Sequence, residues 1–156
     1  MIEELIKSLT EFNDSIPSII AQVIKDGEDG ILEKVRSQLW DGKTPDGKDI
    51  TPSYLADPYF KTPQQAKAYV AWKEQITPNP DRNPISPNLF INGYFHSTLS
   101  IDYDEEGFII TNNTHLGQSV IMKYGYETFG LSEDYLLMLQ QEILNRLSEK
   151  WNTLMT

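Results

Sequence analysis

The chain has 156 residues, of which 39% are hydrophobic and 23% are charged. It contains 13 basic and 23 acidic residues, which gives a net charge of −10. This size and composition are typical of one globular domain with a sizeable core, so we predict a single domain over 1–156. The acidic balance argues against a nucleic-acid-binding surface and against docking on anionic lipid, since both need basic residues. The absence of cysteine excludes disulfides, a thiol nucleophile and thiolate metal sites.

The sequence predicts neither a membrane span nor a signal peptide. No apolar run approaches the ~20 residues that a membrane span needs, and the amphipathic, partly acidic start is unlike a signal peptide. We therefore expect a protein that is made and folded in a cytoplasm, with no membrane partner.

The first forty residues show helical apolar spacing with two predicted interruptions. Over 2–12 the apolar residues recur every three or four positions and predict a helix: Ile2, Leu5, Ile6, Leu9 and Phe12. The polar run 13–15 predicts a break and an N-cap, with Pro17 tolerated in the first turn of a second helix. Gly27 and Gly30 predict a kink or short loop near 26–30, after which helical spacing resumes up to Trp40.

Two irregular segments surround a short helix in the middle of the chain. Residues 41–58 are rich in Gly, Pro and Asp, and because their spacing does not fit a calcium-binding loop, we predict a structural loop. Thr62 predicts the N-cap of a helix from Pro63 to Ile76, with the aliphatic stem of Lys73 on the core. Four prolines in 77–88 exclude a helix interior or central strand there and leave two interpretations, a surface connection or a contact arm.

The segment 88–131 carries the clearest β-hairpin signal. Residues 99–103 alternate apolar and polar side chains, 104–107 form a polar turn that ends in glycine, and 108–111 are β-branched or aromatic. A helix over 115–124, ended by Gly125, is predicted to follow.

A last helix is predicted to begin at Ser132, its N-cap. Its apolar stripe consists of Leu136, Leu139, Ile143, Leu147 and Trp151. The predicted fold class is α+β: N- and C-terminal helices packed on a small antiparallel β-sheet, with long irregular loops. We expect the helices over 2–12, 16–39 and 132–150 to cover one face of the 99–111 hairpin.

The residue types that could carry chemistry are weakly grouped. His96 and His115 lack a second ligand at helical spacing, so we predict neither a metal site nor a general base. Paired carboxylates can cleave glycosidic bonds, but those at 102–106 lie in a predicted solvated turn. No glycine-rich phosphate loop or nucleophile elbow is present. We therefore predict no catalytic residue, no metal and no cofactor.

Four short phrases occur in an order that resembles a known protein family. A glycine-punctuated loop spans 38–52 and ends in Thr51-Pro52, and the Tyr124-Gly125 pair follows the hairpin. The hairpin approach and the start of the last helix complete the pattern: Leu89, Gly93, Phe95, Ser97 or Ser100, Ile101, and Phe129-Gly130-Leu131-Ser132. This order is similar to the tail-completion and virion-morphogenesis proteins of tailed bacteriophages, also called head–tail joining or tail-terminator proteins.

The resemblance implies a structural protein rather than an enzyme. It implies an α+β core over about 31–150, preceded by a helical segment over 1–30, and assembly into a homo-oligomeric ring at the portal–tail junction. Such a ring would join head to tail and leave a channel for DNA without binding it tightly. Its partners would be portal, connector or tail proteins, first in the host bacterial cytoplasm and then in the virion.

Two other functions remain open from the residues alone. A small acidic monomeric binding module, such as an immunity or inhibitor protein, fits the same charge and the same lack of catalytic residues. An enzyme that uses the carboxylates at 102–106 is a more distant alternative.

Specific contact residues follow from the ring interpretation. The irregular segments 41–61 and 77–88 carry large apolar side chains that we expect to reach neighbouring subunits: Tyr54, Tyr59, Phe60 and Ile85. Acidic residues are expected to line the channel, and the hairpin turn supplies the candidates: Asp104, Glu105 and Glu106.

Overall fold

The computed structural model describes residues 1–104 and 106–156, and within them it has an α+β fold, as the sequence predicts. The α-helices are α1 (Ile2–Asp26), α2 (Glu28–Trp40), α3 (Pro63–Ile76), α4 (Tyr94–Ser97), α5 (His115–Tyr124) and α6 (Glu133–Met155). Strands β1 (Ser100–Tyr103) and β2 (Phe108–Thr111) form one antiparallel sheet, and short 3-10 helices cover Tyr54–Ala56 and Tyr126–Phe129. None of the described helices combines the length and the hydrophobicity of a membrane span.

Hydroxyl side chains fix the starts of three helices. Thr62 accepts a hydrogen bond from the Gln65 amide at 3.2 Å, and Ser132 accepts one from the Tyr135 amide at 3.4 Å. The N-caps predicted at Thr62 and Ser132 are therefore confirmed, whereas the one predicted at 13–15 lies inside the continuous helix α1. Thr114 caps α5 in the same way, and each cap satisfies an amide that the helix itself leaves without a partner.

The predicted hairpin is confirmed, and its buried face is short. Ile101 pairs with Ile110 across the two strands, and both side chains are buried. Helix α2 lies at the centre of the core, with Ile31, Val35 and Leu39 fully buried. The rest of the core comes from Ile24, Leu32, Ile50, Phe95, Leu99, Ile121, Phe129, Leu131 and Leu139. Helix α2 and the hairpin together therefore organise the domain.

Helix α1 is continuous where the sequence predicted a break at 13–15. The Ser15 hydroxyl donates to the Phe12 carbonyl at 2.6 Å, and the helix passes through Pro17. Residue 17 would normally donate to the carbonyl of Asn13, and because Asn13 is exposed, water can satisfy that carbonyl instead. The interruption predicted near 26–30 is confirmed, since Gly27 joins α1 to α2.

The predicted fold class is confirmed, and α2, which forms part of the predicted 16–39 helix, packs with the hairpin in one core, but α1 and α6 reach that core over only a short part of their length. Only Ile24 of α1 and Leu139 of α6 belong to the core around α2. Away from that core α1 and α6 contact each other, with the Phe12 and Trp151 ring centroids 5.2 Å apart, edge to face, whereas the first turns of α1 are exposed. Glu11 and Lys150 form an ion pair at 3.7 Å beside them. Two amphipathic stripes of similar length can bury each other, and here they do so in preference to the four-residue strands.

Which part of α6 belongs to the hydrophobic core can be tested by truncating two side chains of its apolar stripe. We expect Leu139→Ala to lower the free energy of unfolding by about 2–5 kcal/mol, because Leu139 is buried in the core. Ile143→Ala should cost less, because Ile143 is half-buried. Denaturant melts followed by tryptophan fluorescence measure both, and equal losses would contradict this placement of the core boundary.

Candidate functional site

The proline-rich loop (residues 77–88) is packed against the loop 41–58. The Ser86 hydroxyl donates to the Gly42 carbonyl at 2.6 Å and accepts from the Ile50 amide at 3.2 Å. Gly42 has a φ of +66°, and an added Cβ would lie 2.7 Å from the Ser86 hydroxyl oxygen. The close approach of the two loops therefore requires glycine at this position.

A buried arginine organises the proline-rich loop from inside. The guanidinium of Arg82 donates through Nη1 to the carbonyls of Ser86 at 2.7 Å and Pro84 at 3.1 Å. The Arg82 side chain is buried, and no carboxylate among the described residues forms an ion pair with it. The N–H groups of the guanidinium therefore satisfy backbone carbonyls in a segment where prolines prevent regular backbone hydrogen bonding.

The proline-rich loop is anchored in the interior but remains partly exposed. Thr77, Arg82, Ser86 and Asn88 are buried, whereas part of the loop is exposed: Pro78, Pro80, Asp81, Asn83 and Pro84. Prolines exclude regular secondary structure, but they do not exclude burial when side chains satisfy the carbonyl groups. The buried residues tie the loop to the domain, and the surface connection and the contact arm both stay predictions for its exposed part.

Lys73 of α3 reaches the end of this loop with its whole side chain, not only with its aliphatic stem. Its ammonium donates to the Asn88 side-chain oxygen at 2.7 Å and to the Phe90 carbonyl. The residue is only 1% exposed, and burial lowers the pKa of its ammonium from 10.5 to about 8, with Arg82 as a second cause. The amine is still mainly protonated at neutral pH, so a cation without a carboxylate partner is held by neutral oxygens.

The two histidines lie in different settings and do not form a common site. His96 is buried, and its Nε2 lies 2.7 Å from the Asn88 carbonyl, to which it must donate. Burial lowers the pKa of His96, so the ring is neutral and serves to fix the loop. His115 is exposed at the start of α5. Among the described residues no three His, Asp or Glu side chains are grouped for a metal ion.

An open groove lies between α3, α5 and the segment that follows the proline-rich loop. This surface, here named the α3–α5 groove, has a volume of about 360 Å³. Lys73 and Lys123 line it together with apolar and aromatic side chains: Tyr54, Tyr69, Pro87, Leu89, Phe90, Ile91, Phe95, Leu116, Val120 and Tyr124, with Asn92 at one end. None of these lining residues is acidic. Lys123 is paired with Asp57 at 2.5 Å, whereas Lys73 forms an ion pair with no carboxylate of residues 1–104 and 106–156.

The predicted contact residues fall into three environments. Tyr54 is 5% exposed and stacks edge to face on Tyr69, so it packs mainly inside the domain, at the lining of the α3–α5 groove, and its contact with a neighbour stays a prediction. Tyr54 begins a 3-10 turn, and its amide donates a hydrogen bond to the Ile85 carbonyl at 2.8 Å. These contacts hold its side chain in the interior although the loop around it has no α-helix or strand. Ile85 and Phe60 are half-buried, and Tyr59 is exposed.

The acidic hairpin turn is exposed in the part that the structure describes. Asp104 accepts hydrogen bonds from the amides of Glu106 at 2.8 Å and Gly107 at 3.1 Å, so its carboxylate also holds the turn. Glu106 is exposed. Glu105, the third predicted channel residue, lies outside the described residues.

Helix α1 presents an apolar stripe that nothing in the fold covers. Ile2, Leu5, Ile6 and Leu9 are all exposed, although they continue the face on which Phe12 meets α6. Their spacing is i, i+3, i+4 and i+7, which is the pattern of a helix that binds in a groove. Exposed apolar side chains grouped in this way mark an interaction surface.

Sequence reasoning located the α1 stripe but missed the α3–α5 groove and the residues that build it. Lys73, Arg82 and Asn88 are polar residue types, which are exposed in most proteins. The available signal was the concentration of Asn, Ser and Thr among the prolines of the loop, since such side chains replace missing backbone bonds.

Comparison of the chain with protein families, with curated proteins and with solved structures found no match.

The structural role of Arg82 can be tested by Arg82→Met, which keeps an apolar stem and removes the donors. We expect the free energy of unfolding to fall by about 1–3 kcal/mol, because the buried Ser86 carbonyl loses its partner. Lys67→Met removes an exposed cation from α3 and is the control, with little expected effect. Urea denaturation measures both variants, and equal stability of Arg82→Met and wild type would contradict the role of Arg82.

The lowered pKa of Lys73 predicts a pH dependence of stability. Between pH 8 and 10.5 the unfolded chain holds a proton that the folded chain releases, so the free energy of unfolding should rise with pH through this group. In Lys73→Met this contribution is absent, so we expect a smaller rise between pH 8 and 9.5. Denaturant melts at several pH values measure the difference, and parallel curves for the two proteins would refute it.

Proposed function

We propose that this chain is a structural subunit of a closed ring at the neck of a tailed-bacteriophage particle, joining head to tail and leaving a channel for DNA. The observation that carries the proposal is that large apolar side chains are exposed on separate faces of the domain. The α1 stripe is one such face, and Ile91 and Leu116 on the α3–α5 groove form another. A subunit with two different interaction faces can associate head to tail, and head-to-tail contacts that close generate rings.

The order of phrases shared with tail-completion proteins supports the position at the neck. The segment 38–52, which begins in the last turn of α2, the hairpin, the Tyr124-Gly125 pair and the Phe129-Gly130 pair that precedes α6 occur in this order along the chain. The proposal assigns no catalytic step, metal or cofactor. Its neighbours would be portal, connector or tail proteins of the same virion.

The acidic charge supports a channel through which DNA moves without being held. Each phosphate that a protein neutralises adds a salt-sensitive contact, and a chain with a net charge of −10 makes few of them. Repeated around a ring, this charge gives a repulsive lumen. The exposed hairpin turn with Asp104 and Glu106 is the proposed lining.

The purified full-length chain should form closed rings, visible by electron microscopy and measurable by native mass spectrometry. We also expect a gel-shift titration to show no appreciable DNA affinity at physiological salt. A chain that stays monomeric at high concentration would contradict the ring and favour the acidic binding module, and tight salt-sensitive duplex binding would contradict the channel. The triple variant Asp104→Lys, Glu105→Lys, Glu106→Lys should form rings but slow genome ejection, and normal ejection would place the turn away from the lumen.

A further inference from the structure

We propose that Asn92, at one end of the α3–α5 groove, is a site of spontaneous chemical modification, where the side-chain amide is lost and aspartate or isoaspartate forms. The reaction needs only water and the backbone of the chain itself. Its consequence, a weaker contact between copies, rests on the proposed ring, whereas the modification does not.

Asn92 is the only asparagine of the chain that is followed by glycine. The reaction begins when the backbone nitrogen of the next residue attacks the side-chain Cγ, and a Cβ on that residue hinders the approach. Gly93 has no Cβ, and its φ of +82° is a conformation that other residues rarely adopt. An added Cβ would also lie 3.1 Å from Cζ of Phe90. The fold therefore requires the glycine that makes Asn92 reactive.

The fold leaves the reacting groups of Asn92 and Gly93 free. Asn92 is exposed, and no described residue accepts a hydrogen bond from the Gly93 amide. The Tyr94 amide donates to the Asn92 side-chain oxygen at 3.0 Å, which turns the side chain toward the residues that follow it. The same hydrogen bond polarises the side-chain carbonyl and stabilises the negative charge that develops on its oxygen during the attack.

The reaction consumes one water molecule and releases one ammonia. The Gly93 nitrogen gives its proton to water and bonds to Cγ of Asn92, while the bond from Cγ to Nδ2 breaks and Nδ2 takes up a proton and leaves as ammonia. The product is a five-membered succinimide ring. Water then adds to one of the two ring carbonyls and breaks its bond to the Gly93 nitrogen, which gives aspartate or isoaspartate. In both products a carboxylate replaces a neutral amide.

Two Asp-Gly pairs could close the same ring, but their glycine amides are engaged in hydrogen bonds. The Gly42 amide donates to the Leu39 carbonyl at 2.9 Å, and the Gly47 amide donates to the Thr44 carbonyl at 3.0 Å. Each nitrogen is therefore held away from the attack, in contrast to the Gly93 nitrogen.

Among the asparagines, Asn113 gives the best comparison with Asn92. It is also exposed, but it is followed by Thr114, a β-branched residue whose amide donates to the buried Asn112 side chain at 3.1 Å. The other asparagines precede a proline, are buried or lie inside an α-helix, where the next amide is absent or hydrogen-bonded: Asn13, Asn79, Asn83, Asn88, Asn145 and Asn152.

The new charge would lie on a face that the proposed ring uses. Asn92 is next to Ile91, which is 60% exposed, and the lining of the groove contains no acidic residue before the modification. Burying a carboxylate in an apolar contact costs desolvation free energy, and it adds to the repulsion between copies that each carry a net charge of −10. Modified chains should therefore associate more weakly, so assembly declines as the protein ages.

Mass spectrometry of the full-length chain, incubated in warm and mildly alkaline buffer, tests the modification by itself. We expect amide loss at Asn92 to be roughly tenfold faster than at Asn113 or more, because only Asn92 precedes glycine. Enzymatic methylation detects the isoaspartate product. Asn92→Gln is the matched control, since closing a six-membered ring is slower, and it should give no isoaspartate at this position. Similar rates at Asn92 and Asn113 would overturn the proposal.

The same measurement in guanidinium chloride separates the effect of the fold from that of the dipeptide. We expect the folded and the denatured chain to lose the Asn92 amide at rates within about tenfold of each other, because the fold does not engage the reacting groups. A larger slowing in the folded chain would show that the fold protects Asn92, and the proposal would be wrong.

Asn92→Asp carries the charge of one product and tests the consequence for assembly. We expect it to associate at least tenfold more weakly than wild type in sedimentation velocity. Asn145→Asp adds the same charge at an exposed position of α6 outside the groove and should assemble like wild type. Equal association of Asn92→Asp and wild type overturns the consequence and leaves the ring in place. A wild-type chain that stays monomeric overturns the ring and the consequence together, and the mass spectra still decide the modification.

Discussion

The fully buried side chain of Asn88 is the interaction on which the middle of the structure depends. Its oxygen accepts from the Lys73 ammonium at 2.7 Å and from the Phe90 amide at 3.1 Å, and its nitrogen donates to the Thr77 hydroxyl at 3.2 Å. Its backbone carbonyl accepts from His96 at 2.7 Å. Between α3 and α4 no described residue belongs to a strand or α-helix, so these bonds replace the ladder that regular structure would supply.

The same network shapes the α3–α5 groove. Lys73 binds both Asn88 and the Phe90 carbonyl, so it fixes the segment that forms one wall against the helix that forms another. Burying a cation costs desolvation free energy, which the hydrogen bonds to neutral oxygens offset here. Removing those hydrogen-bond partners would therefore strongly destabilise the fold. This wall of the groove is therefore held in place by the hydrogen bonds of a side chain that is only 1% exposed.

The sequence correctly predicted the helices and strands that depend on local signals such as periodicity and capping residues. It failed to predict which distant part of the chain packs on an apolar face when more than one was possible. Periodicity and N-caps at Thr62 and Ser132 located α3 and α6, alternation located β1, and β-branched and aromatic residues located β2. Proline content revealed that 77–88 is irregular, but burial of Arg82 depends on carbonyls that converge only in the folded chain. The α1 stripe was visible, but its period does not say whether a sheet, α6 or another molecule covers it.

A net charge of −10 makes exposed surfaces of two copies repel each other, so an assembly of this chain needs apolar burial that outweighs the repulsion. The exposed start of α1 and the apolar lining of the α3–α5 groove are surfaces that can supply such burial. The buried cations do not offer a countercharge to another molecule, because Lys73 already donates to the Asn88 side chain and Arg82 to the carbonyls of Ser86 and Pro84. Repulsion spread over exposed residues is screened by salt. Overall acidity therefore keeps stray contacts weak, and any stable contact between copies depends on the apolar area that it buries.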